Sequence, residues 1–135
     1  IVDDGIDQDH PDIRPNFKQA SSYNYNTNGN NTRPVNLGAH GVSNQCNGVN
    51  WLGTDPSKDW HGTTSAGVAA ARDDGEVCGV GVAPRASLSA VVILQSGSVS
   101  DAVEARAITH ALELNDIYSN SWGPVDDGRR KEAPG

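Results

Sequence analysis

The chain has no methionine, few bases, few cysteines and no long apolar run. The longest apolar stretch lies around Leu88–Leu94, well short of a helical membrane span. Lys and Arg number 10 against 17 Asp and Glu, a formal net charge of −7. That balance argues against nucleic acid or an anionic membrane as the main partner and suits a cationic ligand. Two cysteines, Cys46 and Cys78, exclude a disulfide-dense scaffold; pairing with each other, pairing elsewhere and free thiols all stay open. The missing methionine goes with an abrupt opening, Ile1-Val2-Asp3-Asp4-Gly5, which has the form of a buried strand end. The stretch is therefore expected to be an internal piece of a longer protein. Its 135 residues suit one domain and are too few for most complete enzymes built on a large α/β sheet.

The order of elements is legible in outline. Ile1–Val2 predicts a strand that ends in a turn. From Asn16 to Ser57 asparagine and glycine dominate and apolar periodicity is absent, which predicts a long surface loop or partly disordered insertion. Within it, Asn30-Asn31-Thr32 makes Asn30 a glycosylation sequon. Thr63–Arg72 is small and Ala-rich and predicts a closely packed helix. Ser87–Leu94 predicts a strand buried on both faces. Asp101–Leu114 predicts an amphipathic helix capped by Ser100 or Asp101, with Glu104 in its first turn. Its apolar stripe is Ala105, Ile108 and Leu112, widened by Val103, Ala107, Ala111 and Leu114. Asp116–Gly123 predicts a further strand. This alternation is that of an α/β, doubly wound parallel sheet with helices on both faces. Ligands of such sheets gather at the carboxyl ends of the strands, where Asp3, Asp4 and Ser121–Gly123 all fall.

Four places carry chemistry. Asp3 follows an apolar strand directly, so its carboxylate needs a partner; a loop-capping Asp-Gly turn is the plainer alternative. His61 opens the small-residue helix, either as a capping or core residue or as a general base. In the second case the helix dipole disfavours the imidazolium and keeps the resting ring neutral. Ser121-Trp122-Gly123-Pro124 is either ordinary packing or an exposed edge that accepts an extended peptide. Asp126 and Asp127 are either a solvated turn or the acidic floor of a pocket for a cationic side chain.

Together these segments resemble one family. Asp3-Asp4-Gly5, followed by His10-Pro11-Asp12, resembles the aspartate motif of subtilisin-like serine proteases, and Asp59–Gly67 resembles their histidine motif. The order Asp then His is the subtilisin order. The doubled aspartate and the run Asn115–Gly128 resemble the kexin/furin branch, the proprotein convertases. Val77–Ala83 and Val99–Arg106 add to the likeness, which covers residues 1–15 and about 59–134. The resemblance implies that 1–135 is a partial catalytic domain of the peptidase S8 class, with 16–57 as a surface insertion. Asp3 would orient His61, and His61 would be the general base; the nucleophilic serine and the oxyanion asparagine are expected beyond Gly135. The piece alone is then inactive.

The same resemblance implies a specificity. Asp126 would meet a P1 arginine, Asp4 a P2 base, and Glu104 and Glu132 more distant bases. Ser121, Trp122, Gly123 and Pro124 would line the substrate backbone. It also implies bound Ca2+, with Asp12, Asp126 and oxygen donors of the Arg72–Val77 loop, Asp74 among them. Cys78 would be a half-cystine with a partner downstream; Cys46 has no family role. The implied partners are precursor proteins or peptides with basic cleavage sites and the protein's own prodomain, not nucleic acid. The implied location is the secretory pathway, Golgi or extracellular, with any membrane anchor outside the piece. Departures from the pattern are Thr64-Ser65 in place of Arg-Cys, Lys58 in place of an acid, Ser96 and Ser98 in place of acids, and Asp73-Asp74-Gly75-Glu76 in place of Asn-Asn-Gly. Two rival readings are a catalytically dead homologue that binds basic peptides and a degradative subtilase of broad specificity.

Overall fold

The computed structural model describes residues 1–35, 60–74, 79–95 and 99–123. Its regular elements are β1 (Val2–Asp3), β2 (Tyr23–Asn24), α1 (His61–Ala70), β3 (Val91–Val92) and α2 (Asp101–Ala107), with a 3-10 turn at Gln19–Ser21. The three strands are parallel in the order β1-β3-β2. Val2 lies opposite Val91 and Asp3 opposite Val92, while Tyr23 and Asn24 face the same two residues from the other side. A parallel bridge from Asn120 to Val2 adds the chain around residues 119–121 outside β1. The architecture is thus α/β with a parallel sheet.

Side chains alternate across a strand, and this alternation sorts the core. Ile1 packs with Ile6, Ile13, Ala66, Ala70, Leu88 and Ala90, on the face covered by α1. Val2 packs with Val91, Ile93 and Ala107, with Val103 and Tyr118 beside them, on the face covered by α2. Asp3, next in sequence after Val2, therefore returns to the α1 face. Small residues let α1 approach closely. A Cβ at Gly81 would stand 2.4 Å from the Ala71 nitrogen. With no side chain there, the N–H groups of Gly81, Val82 and Ala83 reach the carbonyls of Ala71, Val68 and Ala69. These bonds satisfy helix-end acceptors that would otherwise be orphaned.

Two expectations are corrected. Residues 16–35 are not simply surface loop: β2 lies among them, Asn16, Asn24 and Thr32 are buried, and Phe17 bridges Leu88. Asn24 is tolerated inside because it is fully used. Its Oδ1 accepts the Asn26 and Thr27 N–H groups, and its Nδ2 donates to the Asn31 carbonyl and to Gln95. Residues 36–57, with Cys46, lie outside the described residues, as do Lys58, Cys78, Ser96 and Ser98.

The second correction concerns α2. It starts where expected, with the Ser100 side chain accepting the Val103 N–H, but ends at Ala107. Ala111 has a left-handed backbone, φ 52°, and Asn115 donates to the His110 carbonyl. The side chain of His110 is drawn between tyrosines: it stacks on Tyr23 at 5.6 Å and meets the Tyr25 hydroxyl at 3.0 Å. The buried face is Val103 and Ala107; Ala105, Ile108, Leu112 and Leu114 face outward.

Candidate active site

The site forms where β1 ends against the first turn of α1. Asp3 is 2% exposed. Its Oδ1 and Oδ2 lie 2.9 and 2.8 Å from His61 Nδ1. Against a carboxylate, that nitrogen carries the hydrogen and donates it, so Nε2 is left as the base. The His61 side chain is 56% exposed while the Asp3 side chain is 1% exposed. A buried carboxylate thus holds a ring that is itself more than half exposed.

His61 is raised above the ordinary histidine value of 6.5, first by its hydrogen bond to Asp3, then by the charges of Asp3 and Asp4; burial opposes this. The net shift therefore favours the imidazolium, not the neutral ring expected from the helix dipole alone. The positive end of α1 is met by a carboxylate: Asp4 Oδ2 accepts the His61 N–H at 3.1 Å, and Oδ1 accepts the Gly62 N–H at 2.8 Å. Asp3 also accepts the Asp4 N–H at 2.8 Å, so the loop-capping role and the orienting role coexist in one residue. Thr63 adds a third tie, its hydroxyl accepting the Asp7 N–H at 2.9 Å.

The bridge of Asn120 to Val2 sets Ser121 level with Asp3. Ser121 and Gly123 are exposed, and Trp122 is half-buried, its Nε1–H donating to the Val2 carbonyl at 2.8 Å. The strand expected over Asp116–Gly123 is therefore reduced to one bridge at Asn120, from which Ser121–Gly123 runs on without regular structure. Glu104 lies in the first turn of α2, on the other face of the sheet from His61. Pro124, Asp126 and Glu132 lie outside the described residues.

Asp12 and Asp74 differ in their fitness as metal ligands. Asp12 is buried, and its Oδ1 has no hydrogen-bond partner among the described residues. Burial pushes its carboxyl above the usual carboxylate range. A hard cation would satisfy such an oxygen. Asp74 does not fit: Arg72 pairs with it closely and Arg85 lies 3.6 Å away. The Arg72 hydrogen bond holds the Asp74 carboxyl below its ordinary value. A carboxylate already held by two guanidinium groups is a poor ligand, so Asp74 is withdrawn from the ligand set. No cluster of three or more His, Cys, Asp or Glu residues that could hold a metal occurs among the described residues.

The helix cap made by Asp4 had no sequence signal of its own, because donor and acceptor are 57 residues apart. The indirect signal is Trp60, a residue unable to cap, immediately before the helix.

The described site is thus a buried aspartate paired with a more exposed histidine, beside the segment Ser121–Gly123. Comparison with known proteins supplies the family. The model of the subtilase family, peptidase S8, matches residues 1–135. The chain belongs to that family. It is 38% identical to kexin of Saccharomyces cerevisiae over 134 residues, 99% of this chain and 14% of that protein. It is 42% identical to the dibasic-processing endoprotease of Schizosaccharomyces pombe over 135 residues, 99% of this chain and 16% of that protein. Among solved structures, a serine protease of Aeromonas sobria in complex with its chaperone is similar with a TM-score of 0.58 and 25% identity, over 82% of this chain and 15% of that one. The chain thus spans 14–16% of the length of those two fungal relatives.

Proposed function

We propose that this chain is part of the catalytic domain of a serine endoprotease that cuts precursor proteins after paired basic residues. The observation that carries the reading is the Asp3–His61 pair, with both carboxylate oxygens within 2.9 Å of Nδ1. In the proposed mechanism a serine hydroxyl comes against His61 Nε2. His61 takes its proton as the oxygen attacks the scissile carbonyl, and Asp3 stabilises the imidazolium that forms. His61 then returns the proton to the leaving amine. The substrate backbone extends along the edge at Ser121–Gly123 as an added strand. Likeness to a relative named for dibasic processing supports the substrate class. So does the acidic balance of the chain.

Within this reading Asp126 holds the P1 arginine, Asp4 faces the P2 base, Glu104 and Glu132 face more distant bases, and Pro124 lines the substrate backbone. Two features bear on these roles: Asp4 already serves α1, and Glu104 lies across the sheet from His61. The proposed cofactor is Ca2+ with Asp12 as one ligand, supported by its unpartnered buried oxygen. When bound, the ion would neutralise that oxygen and brace the loop; the proton transfers belong to His61 and Asp3. A secretory-pathway location and a prodomain partner follow from the same likeness. No helix among the described residues is long and apolar enough to cross a membrane.

The test is a peptide pair cut by the full-length protein, identical except for Arg or Leu at P1. A desolvated charge pair contributes about 2–5 kcal/mol, so kcat/KM for Arg should exceed that for Leu by roughly 30-fold or more. Equal rates would point to a degradative enzyme of broad specificity. Binding of the Arg peptide without cleavage would point to a dead homologue.

A further inference from the structure

Helix α1 begins without a local cap. Trp60, at the capping position, has helical backbone angles (φ −96°, ψ −16°) and makes no side-chain cap bond, and the first turn holds no acid. The leading N–H groups of a helix have no partner within it. Two of them end on Asp4, whose oxygens accept from His61 and from Gly62. Asp4 is 7% exposed, and its own N–H donates to the carboxylate that orients His61. Its carbonyl accepts from Gln95 Nε2 at 2.8 Å, which ties it to the segment that follows the central strand. His61 is thus held at two points by adjacent carboxylates, its ring by Asp3 and its backbone by Asp4. There is little slack in this arrangement, since a Cβ at Gly62 would lie 2.8 Å from Asp4 Oδ1 and 2.9 Å from Asp3 Cβ.

We propose that Asp4 is a positioning residue for the general base: by capping α1 from a distance it fixes where the His61 ring stands over Asp3. The proposal rests on the proteolytic reading above, but its role for Asp4 differs from contact with a P2 side chain. A P2 contact acts on one class of substrate. A positioning residue acts on every substrate, through kcat.

The experiment compares wild type with Asp4→Asn and Asp4→Ser in the full-length protein, on peptides ending Lys-Arg and Ala-Arg at the cleavage site. Asn keeps one acceptor oxygen and turns an amide toward the second N–H; Ser keeps one capping oxygen. Misplacing a catalytic group by about an ångström can cost on the order of 100-fold. Asp4→Asn is expected to lower kcat by roughly 10-fold or more on both peptides, the Ala-Arg peptide included, with any P2 contact adding a KM effect on the Lys-Arg peptide alone. The acid limb of the pH profile should move to lower pH, because a charge that favours the imidazolium is gone. A loss confined to the Lys-Arg peptide, expressed in KM with the acid limb unmoved, overturns the proposal and returns Asp4 to the P2 subsite.

Hydrogen exchange gives a readout that needs no hydrolysis. Loss of a cap costs about 1 kcal/mol, so the His61 and Gly62 amides of Asp4→Asn should exchange roughly five-fold faster than wild type. Unchanged protection overturns the proposal. If the wild type cleaves neither peptide, the proteolytic reading fails, and exchange still decides whether Asp4 holds the helix. Asp4→Ser should show intermediate exchange and, if Asp4→Asn does not fold, carries the test in its place.

Discussion

Gly62 is where the fold and the site share one contact, and Gly62→Ala is the perturbation that reads it. The added Cβ would stand 2.3 Å from the Gly5 carbonyl oxygen, 2.8 Å from Asp4 Oδ1 and 2.9 Å from Asp3 Cβ. Two of these atoms belong to the carboxylate residues that hold His61, and the nearest is backbone. Bringing the closest pair from 2.3 Å to the 3.0 Å floor of real contacts requires about 0.7 Å of separation. Overpacking of this kind costs about 1–3 kcal/mol. Alanine's helix propensity offsets about 1 kcal/mol of that. The net expectation is a destabilisation of up to about 2 kcal/mol, read as a lower denaturation midpoint in urea at unchanged slope. Catalysis should suffer more. If α1 moves, His61 leaves Asp3, and kcat/KM should fall on the order of 100-fold. A variant with wild-type midpoint and activity within a few-fold would refute the claim that α1 is seated tightly on the Asp3-Asp4-Gly5 loop.

Three further outcomes are expected. The acid limb of kcat/KM should be centred above 6.5, because His61 must be neutral to act and its bond to Asp3 raises it. Since the folded value exceeds the unfolded one, the stability this pair contributes is full below 6.5 and is lost as pH rises through the raised value; a midpoint at or below 6.5 would contradict the pairing. Excess EDTA should lower the melting temperature of the full-length protein. An ion present at 100 times its Kd contributes about 2.7 kcal/mol, and an unchanged melt would remove Asp12 from a metal site. The isolated 135-residue chain should bind a hydrophobic dye strongly, because Val82 is 88% and Ile117 84% exposed; a sharp cooperative melt with no dye binding would show that the chain needs no further partner surface.

What the sequence makes legible follows from the range of the forces involved. The strand within Ser87–Leu94 and the helix after Trp60 announce themselves through local composition. Asp3 and His61 are legible because their motifs are local too. Strand β2 is hidden because Asn24 is polar in sequence and apolar in behaviour only once four partners satisfy it. The apolar spacing of 101–114 centres on Ala105, Ile108 and Leu112, but the sheet takes only the flanking Val103 and Ala107 of that stripe, and the tyrosines take His110. Which face is buried is decided by the partner layer, not by the helix alone. Asp4 is legible as an acid beside the site, whereas its bonds to α1 exist only when residues 57 and 58 positions apart meet. Asp74 fits the chemistry of a calcium loop, but two arginines reach it, and nothing in spacing alone ranks those competitors.

In the proposed mechanism His61, oriented by Asp3, acts as the general base. The most direct measurement is kcat for a Lys-Arg peptide with the full-length protein, wild type against His61→Ala. Members of a catalytic triad act as a unit, so the variant should lose activity on the order of a million-fold. Hydrolysis by the variant within a few-fold of wild type would contradict that role for His61.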